Sequence, residues 1–313
     1  MIFPRTFAFH RHWHLPLTLL LCVCTTAVAE PTSKKKSSGK KKSQTVRKAE
    51  PPPEPDVLPN GVPNTRAVSA MVIDARTGEI LYEKNADARR AAASTQKLLT
   101  ALVVAERGYL DQPVTIQPSD TYAEPTKLGL KAGETYRRID LLRALLVKSP
   151  NDVARALARD AGGSIECFAM MMNQRARAAG AMNSNFRNPN GLPDPEQFSS
   201  ARDLSLIARA AYANSTIRSI VSMQQYVFRF SDGHVRELEN TNKVLKRLPY
   251  CNGMKTGYTD AAGSCLISSA SRPGRDVIVV LLGHTKPRIW TDSAAFLTWA
   301  LYHGPAVAGA GGQ

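Results

Sequence analysis

Val277-Ile278-Val279-Val280-Leu281-Leu282 is an uninterrupted apolar run rich in β-branched residues, bounded by Asp276 and Gly283. Such a run reads as a buried strand. A β-rich partner, Val68-Ser69-Ala70-Met71-Val72-Ile73-Asp74, lies two hundred residues upstream. Glu79-Ile80-Leu81-Tyr82 follows it across Thr77-Gly78, which makes a hairpin. Between the two ends the periodicity is helical. Ser94 opens a stretch through Leu98, Leu99, Leu102, Val103 and Val104. Ile139 to Val147 forms a second helix, ending at Lys148-Ser149-Pro150. Asn151-Asp152 is expected to cap a third, and Ser200 to Tyr212 forms a fourth. Tyr226 to Phe230 leads into Asp232-Gly233, a hairpin turn. Strands follow around Gly253–Thr256 and Gly263–Ser269, and a last helix from about Asp292 to Tyr302. Strands at both ends and helices in the middle point to an α+β fold. An antiparallel sheet is closed by both ends of the chain and flanked by a helical cluster. No internal repeat is present.

The charge is unevenly spread. The 313 residues carry 41 Lys+Arg against 26 Asp+Glu, a net +15, which invites a nucleic-acid reading. Residues 1–29 read instead as a secretory signal peptide: Arg5 and Arg11, an apolar middle from Leu15 to Val23, then Ala27-Val28-Ala29. Bulky Leu21 before Cys22 argues against a lipoprotein. Residues 30–56, with KKKSSGKKK, VRK and EPPPEPD, have little to bury and are expected to be a disordered basic, Pro-rich linker. It is either a plain spacer or an electrostatic tether to an anionic membrane or wall surface. Two positive charges belong to the leader and a net five to residues 30–55, which leaves a net eight for the rest. Residues 57–305 read as one catalytic domain, and the Gly-rich 306–313 as a frayed tail. Cys167, Cys251 and Cys265 survive removal of the leader. An odd count leaves at least one unpaired, and Cys251 with Cys265 is a conceivable pair.

Three short motifs carry chemistry. Ser94-Thr95-Gln96-Lys97 puts a hydroxyl and an amine on one face of a helix start. A serine needs an adjacent base to become a nucleophile, and a lysine with a lowered pKa can serve. Ser149-Pro150-Asn151 supplies a hydroxyl and an amide on a turn between helices. Lys255-Thr256-Gly257, on a strand, supplies a cation and a hydroxyl suited to a carboxylate. Its glycine leaves room for a ligand backbone to approach. Each motif alone is common, and a helix cap explains the first two equally well.

In this order and these contexts, S-x-x-K, S-x-N and K-T-G resemble the penicillin-recognising serine acyl-enzymes. The chain is similar in particular to the serine-type D-alanyl-D-alanine carboxypeptidases, the low-molecular-mass penicillin-binding proteins, from about Thr65 to His303. Asn188-Pro189-Asn190-Gly191-Leu192 and Ser199-Ser200-Ala201-Arg202-Asp203-Leu204 extend the likeness. Asn190 stands where the family often has histidine, and Pro150 where small residues are common. The resemblance implies a DD-peptidase/β-lactamase-like fold with an all-helical subdomain. It implies an exported, periplasmic or envelope-associated hydrolase with no cofactor and no metal, acting on peptidoglycan stem peptides and acylated by β-lactams. It implies Ser94 as nucleophile, Lys97 as base, Ser149 as proton relay and Asn151 as the group orienting Lys97 and the substrate. Lys255 and Thr256 would hold the terminal carboxylate beside Gly257, with Arg288 helping. Backbone N–H groups of Ser94 and Tyr258 would form the oxyanion hole.

A class A β-lactamase would need a deacylating glutamate in an E-x-x-L-N segment, and Glu166 and Glu196 have the wrong neighbours. A D,D-endopeptidase would use the same groups and stays an alternative. It gains weight from the short stretch after the catalytic residues. A non-catalytic wall-binding protein is a further alternative, which the intact Ser94, Lys97 and Lys255 oppose. Export and the lack of a recognisable module oppose nucleic-acid binding. His234, His284 and His303 show no metal-ligand spacing. No G-x-S-x-G supports a Ser-His-Asp hydrolase.

Overall fold

A computed structural model describes residues 57–58 and 61–303. The leader, the linker and the C-terminal tail assigned from the sequence lie outside them. Val277–Leu282 falls in β9 (Arg275–His284), and every residue of the run is fully buried. β9 is the middle strand of a five-stranded antiparallel sheet. Its neighbours are β1 (Ser69–Asp74) and β8 (Gly263–Arg272), with β2 (Ile80–Lys84) and β7 (Cys251–Thr259) at the edges. Val279 pairs with Val72 on one side and with Ser268 on the other.

Alternate β9 residues serve two different cores, which is why the run is apolar throughout. Val277, Val279 and Leu281 face the C-terminal helix α7 (Ile289–Tyr302), against Phe296, Leu297 and Ala300. Ile278, Val280 and Leu282 face the helical side, in one core with Leu98, Leu102, Leu204 and Ile207. Burying each such side chain stabilises the fold by about 1.5–3 kcal/mol.

The helical lobe is inserted between β2 and β7. α1 (Lys97–Glu106) runs through it, packed by α2 (Arg138–Lys148), α3 (Asn151–Gly162), α4 (Ile165–Ala178), α5 (Ala201–Ala213) and α6 (Ser215–Val221). Small hairpins decorate it: β3 (Pro113–Thr115) with β4 (Thr135–Arg137), and β5 (Gln225–Arg229) with β6 (Val235–Glu239). Ser200 caps α5 as its sequence position suggests, accepting from the Asp203 N–H at 3.1 Å.

Several expectations need correction. Asn151 is not a cap. Pro150 takes that position, and Asn151 is the first residue of α3, with its side chain free for another task. The last helix begins at Ile289 rather than Asp292. α4, α6 and the β3–β4 hairpin are additions to the elements expected from the sequence. α4 has few apolar anchors, with Phe168, Ala169, Met172 and Ala176 as its buried residues, and the two small strands have three residues each. Cys251 and Cys265 cannot pair. Cys251 sits opposite Ala270 and Cys265 opposite Gly257, far apart along one ladder, and both thiols are free.

Candidate active site

Ser94 lies in a single 3-10 turn, Ala93–Gln96, that runs directly into α1 at Lys97. Side chains at i and i+3 eclipse in such a turn, so the serine and the lysine stand in line. Two glycines fix the turn from opposite sides. A Cβ on Gly191 would lie 2.0 Å from the Ala93 carbonyl oxygen, and one on Gly257 would lie 2.8 Å from the Ser94 nitrogen. Gly191 also has φ +81°, which a side chain rarely tolerates. The Gly257 of the K-T-G motif therefore makes room for the chain's own nucleophile turn. Gly257 lines the cleft as well, so its expected place beside a ligand stands next to this task. Ala93 itself is buried with φ +47°, an unfavourable state held only because its surroundings dictate it. Asn188 stiffens the turn around Gly191: its Oδ1 accepts from the N–H groups of Asn190, Gly191 and Leu192, and its carbonyl accepts from Gln96 Nε2 at 2.6 Å.

Lys97 is fully buried. Its Nζ donates to Asn151 Oδ1 at 2.8 Å and to the Asn190 carbonyl at 2.7 Å, and lies 2.7 Å from Ser94 Oγ. Burial holds its pKa well below the usual lysine range. The charge of Lys255 pushes the same way, and Asp152 opposes them. A neutral amine has two N–H donors and one lone pair. Asn151 and Asn190 take the donors, which leaves the lone pair for the Ser94 hydroxyl.

Ser149 and Asn151 come from the α2–α3 junction. Ser149 ends α2 in a left-handed conformation, φ +69°, with its N–H donating to Leu145 O at 3.1 Å. Its Oγ is buried and has no hydrogen-bond partner among the described residues, and the residue lines the cleft. The Asn151 N–H donates to Thr126 O at 2.7 Å, and its Nδ2 reaches Glu124 O at 3.3 Å. Asp152, also buried, accepts from the N–H groups of Leu128, Gly129 and Leu130. These bonds moor the 124–130 segment, whose Pro125 and Thr126 form one wall of the cleft.

The opposite wall is β7, an edge strand, and the loop before α7. The cleft between them measures about 630 Å³ and reaches Ser94, Ser149, Thr256, Gly257 and Tyr258. Thr256 Oγ1 donates to Thr241 Oγ1 at 2.7 Å, and Thr241 lines the cleft as well. Lys255 is fully buried. Its Nζ donates to Thr256 O at 3.0 Å, and burial lowers its pKa to about 7. Arg288 does not line the cleft. It is buried, with its Nε 3.5 Å from Asp292 Oδ1. The basic group that this loop presents to the cleft is the exposed Lys286, whose Nζ stands 4.5 Å over the Tyr258 ring.

The profile of the D-alanyl-D-alanine carboxypeptidase family matches residues 57–286. The chain belongs to that family. Among the family's curated proteins, a D-alanyl-D-alanine carboxypeptidase of Bacillus subtilis is 32% identical over 227 residues, 71% of this chain. One of Mycobacterium tuberculosis is 33% identical over 259 residues, 80% of this chain. The chain spans 58% of the length of the former and 88% of the latter. A crystal structure of a D-alanyl-D-alanine carboxypeptidase from M. tuberculosis superposes with a TM-score of 0.75 at 31% identity, covering 81% of this chain and 97% of that one. A Streptomyces DD-transpeptidase superposes with a TM-score of 0.73 at 31% identity, covering 77% and 98%. The fold expected from the motifs is thus the fold found.

In this carboxypeptidase-family protein each of the three motifs brings a residue to one cleft, with Lys97 and Asn151 bonded behind Ser94, Lys255 buried beside Thr256, and Arg288 off the lining. Three further groups at the site carry no sequence motif. The Asn190 carbonyl lay inside a quoted segment, but a backbone acceptor leaves no residue-type signal. Thr241 and Lys286 sit in connections with no motif of their own.

Proposed function

We propose that this protein is a serine D-alanyl-D-alanine carboxypeptidase that removes the terminal D-alanine from peptidoglycan stem pentapeptides. One observation carries the reading: a buried amine lies 2.7 Å from a serine hydroxyl, with its donors already engaged by Asn151 and Asn190. Lys97 takes the Ser94 proton as Oγ attacks the carbonyl of the penultimate D-alanine. The backbone N–H groups of Ser94 and Tyr258 receive the oxyanion, a role favoured by the close approach of β7 to the Ser94 nitrogen. The C–N bond then breaks. The Lys97 proton passes through the Ser149 hydroxyl to the nitrogen, and D-alanine leaves as a free amine. Water attacks the Ser94 ester and gives its proton back along the same path. The truncated peptide leaves with a new carboxyl group, and Ser94 regains its hydrogen.

Thr256 and Thr241 supply hydroxyls for the terminal carboxylate, and Lys255 supplies charge behind them. A carboxylate bound nearby would draw the Lys255 pKa upward from about 7, so the cation forms where its partner binds. β-Lactams would acylate Ser94 in the same way, without a leaving group that departs. Export to the cell envelope and contact of the basic stretch 34–48 with anionic surfaces complete the reading. Deleting that stretch should lower salt-sensitive binding to anionic liposomes or sacculi.

Mass spectrometry of purified muropeptides digested with the protein tests the choice of reaction. Free D-alanine released from pentapeptides supports the proposal. Conversion of cross-linked dimers to monomers without D-alanine release replaces it with endopeptidase activity. Joining of two peptides replaces it with transpeptidation.

A further inference from the structure

Asp276 marks the end of β9 opposite the catalytic cleft, eight residues or about 26 Å along the strand from His284. A pocket of about 520 Å³ opens there, where α4, α5 and α6 meet the β1–β2 turn. Arg76, Arg175, Arg209 and Arg218 line it, together with a single carboxylate, Asp276. Its remaining surface is mostly small: Ala178, Ala210 and Ala213 leave the space open.

The arginines are oriented more than they are neutralised. Arg209 donates from Nε to Ala75 O at 3.1 Å and from Nη2 to Arg76 O at 2.8 Å. Arg76 donates from Nη1 to Gly274 O at 2.8 Å. Arg218 stands 5.5 Å over the ring of Tyr212, whose hydroxyl donates to Asp276 at 3.1 Å. Carbonyls and a ring fix a guanidinium without cancelling its charge. Among the described residues only Arg175 has a carboxylate partner of its own, Glu106, in a two-pronged pair at 2.7 and 2.9 Å. Among the described residues no carboxylate lies within ion-pair distance of Arg76, Arg209 or Arg218. Setting Asp276 and Glu106 against the four guanidiniums leaves two positive charges unmatched. Guanidiniums cannot shed that charge by deprotonating.

Pre-aimed forks around an open space with a surplus of two charges suit a dianion with several acceptor oxygens. We propose that this pocket is a phosphate-binding site, independent of the catalytic cleft, that takes a phosphate or pyrophosphate group. Held there, the protein would turn its cleft away from whatever bears the phosphate.

Calorimetric titration of the full chain with inorganic phosphate and with pyrophosphate tests the site. Arg76→Gln and Arg218→Gln should each weaken binding about ten-fold or more, and more so together. Both variants should keep the wild-type circular dichroism and the wild-type rate of penicillin acylation, because neither touches the cleft. Lys40→Gln with Lys41→Gln, in the basic stretch, should leave the titration unchanged. Vesicles of phosphatidylglycerol distinguish the sources. Sedimentation that the arginine variants lose identifies a lipid headgroup. Soluble binding without sedimentation identifies a free phosphate. The proposal is overturned if the double arginine variant binds as well as wild type, if neither anion binds, or if succinate binds as tightly as phosphate.

Discussion

Lys97, bonded behind the cleft's Ser94, and Lys286, on the cleft's lining, share little beyond their side-chain type. Lys97 is fully buried, begins a helix and is fastened by Asn151, Asn190 and Ser94. Lys286 is exposed on a loop, resting over the equally exposed Tyr258. Burial pushes the pKa of the first well below the usual lysine range, while the second stands in water. The floor of the cleft is thus set by backbone packed on backbone, and its rim by exposed side chains.

The sharpest way to break this contrast is to remove the floor lysine. Lys97→Met should slow penicillin acylation by about 10²–10⁴-fold, the usual weight of a general base. A loss under about ten-fold would mean that another group activates Ser94. Gly191→Ala comes next. Its Cβ would overlap the Ala93 carbonyl at 2.0 Å on a backbone with φ +81°. Acylation and melting temperature should both fall, the latter by the equivalent of about 1–3 kcal/mol. Gly257→Ala meets Ser94 N at 2.8 Å with no positive φ, and should impair kcat more than stability. Unchanged kinetics in both glycine variants would show that the clamp does not position the nucleophile.

pH separates floor from rim more gently. Lys255 is protonated below its pKa of about 7 and neutral above it. KM for a peptide with a free terminal carboxylate should therefore rise as pH rises through that region. KM for the amidated peptide should not follow. Parallel profiles would remove Lys255 from carboxylate recognition. The smallest effect belongs to the rim. Lys286→Ala should raise KM about three- to five-fold with kcat little changed, as befits an exposed cation. Arg288→Ala should leave KM alone and lower stability, because Arg288 and Asp292 are buried together. A reversal of these two results would return the carboxylate role to Arg288.

The same contrast explains what could be read from the sequence. Val277–Leu282 announced a central strand because both faces of β9 are buried, and Ser94 with Lys97 announced a pair because a turn aligns i and i+3. Those signals are local. The approach of Gly191 and Gly257 to one turn joins residues about a hundred and about a hundred and sixty positions from Ser94. No local pattern carries that, so the space Gly257 clears for the chain's own turn is not legible beside its place at the cleft. Arg288 and Lys286 are two residues apart on a loop. Lys286 lines the cleft while Arg288 is buried beside Asp292, a division that the two positions alone do not announce. The left-handed Ser149 and the capping Pro150 likewise release Asn151 to reach Lys97, against its ordinary use as a cap.

Intact-protein mass spectrometry after a brief exposure to benzylpenicillin, followed by peptide mapping, tests the central claim most directly. Wild-type protein should gain one penicilloyl group, mapped to Ser94, and Ser94→Ala should gain none. The wild-type rate should reach its plateau well below the ordinary lysine pKa, because burial lowers that of Lys97. Labelling of Ser94→Ala to the same extent, or an acylation rate that climbs only toward the ordinary lysine pKa, would contradict the account.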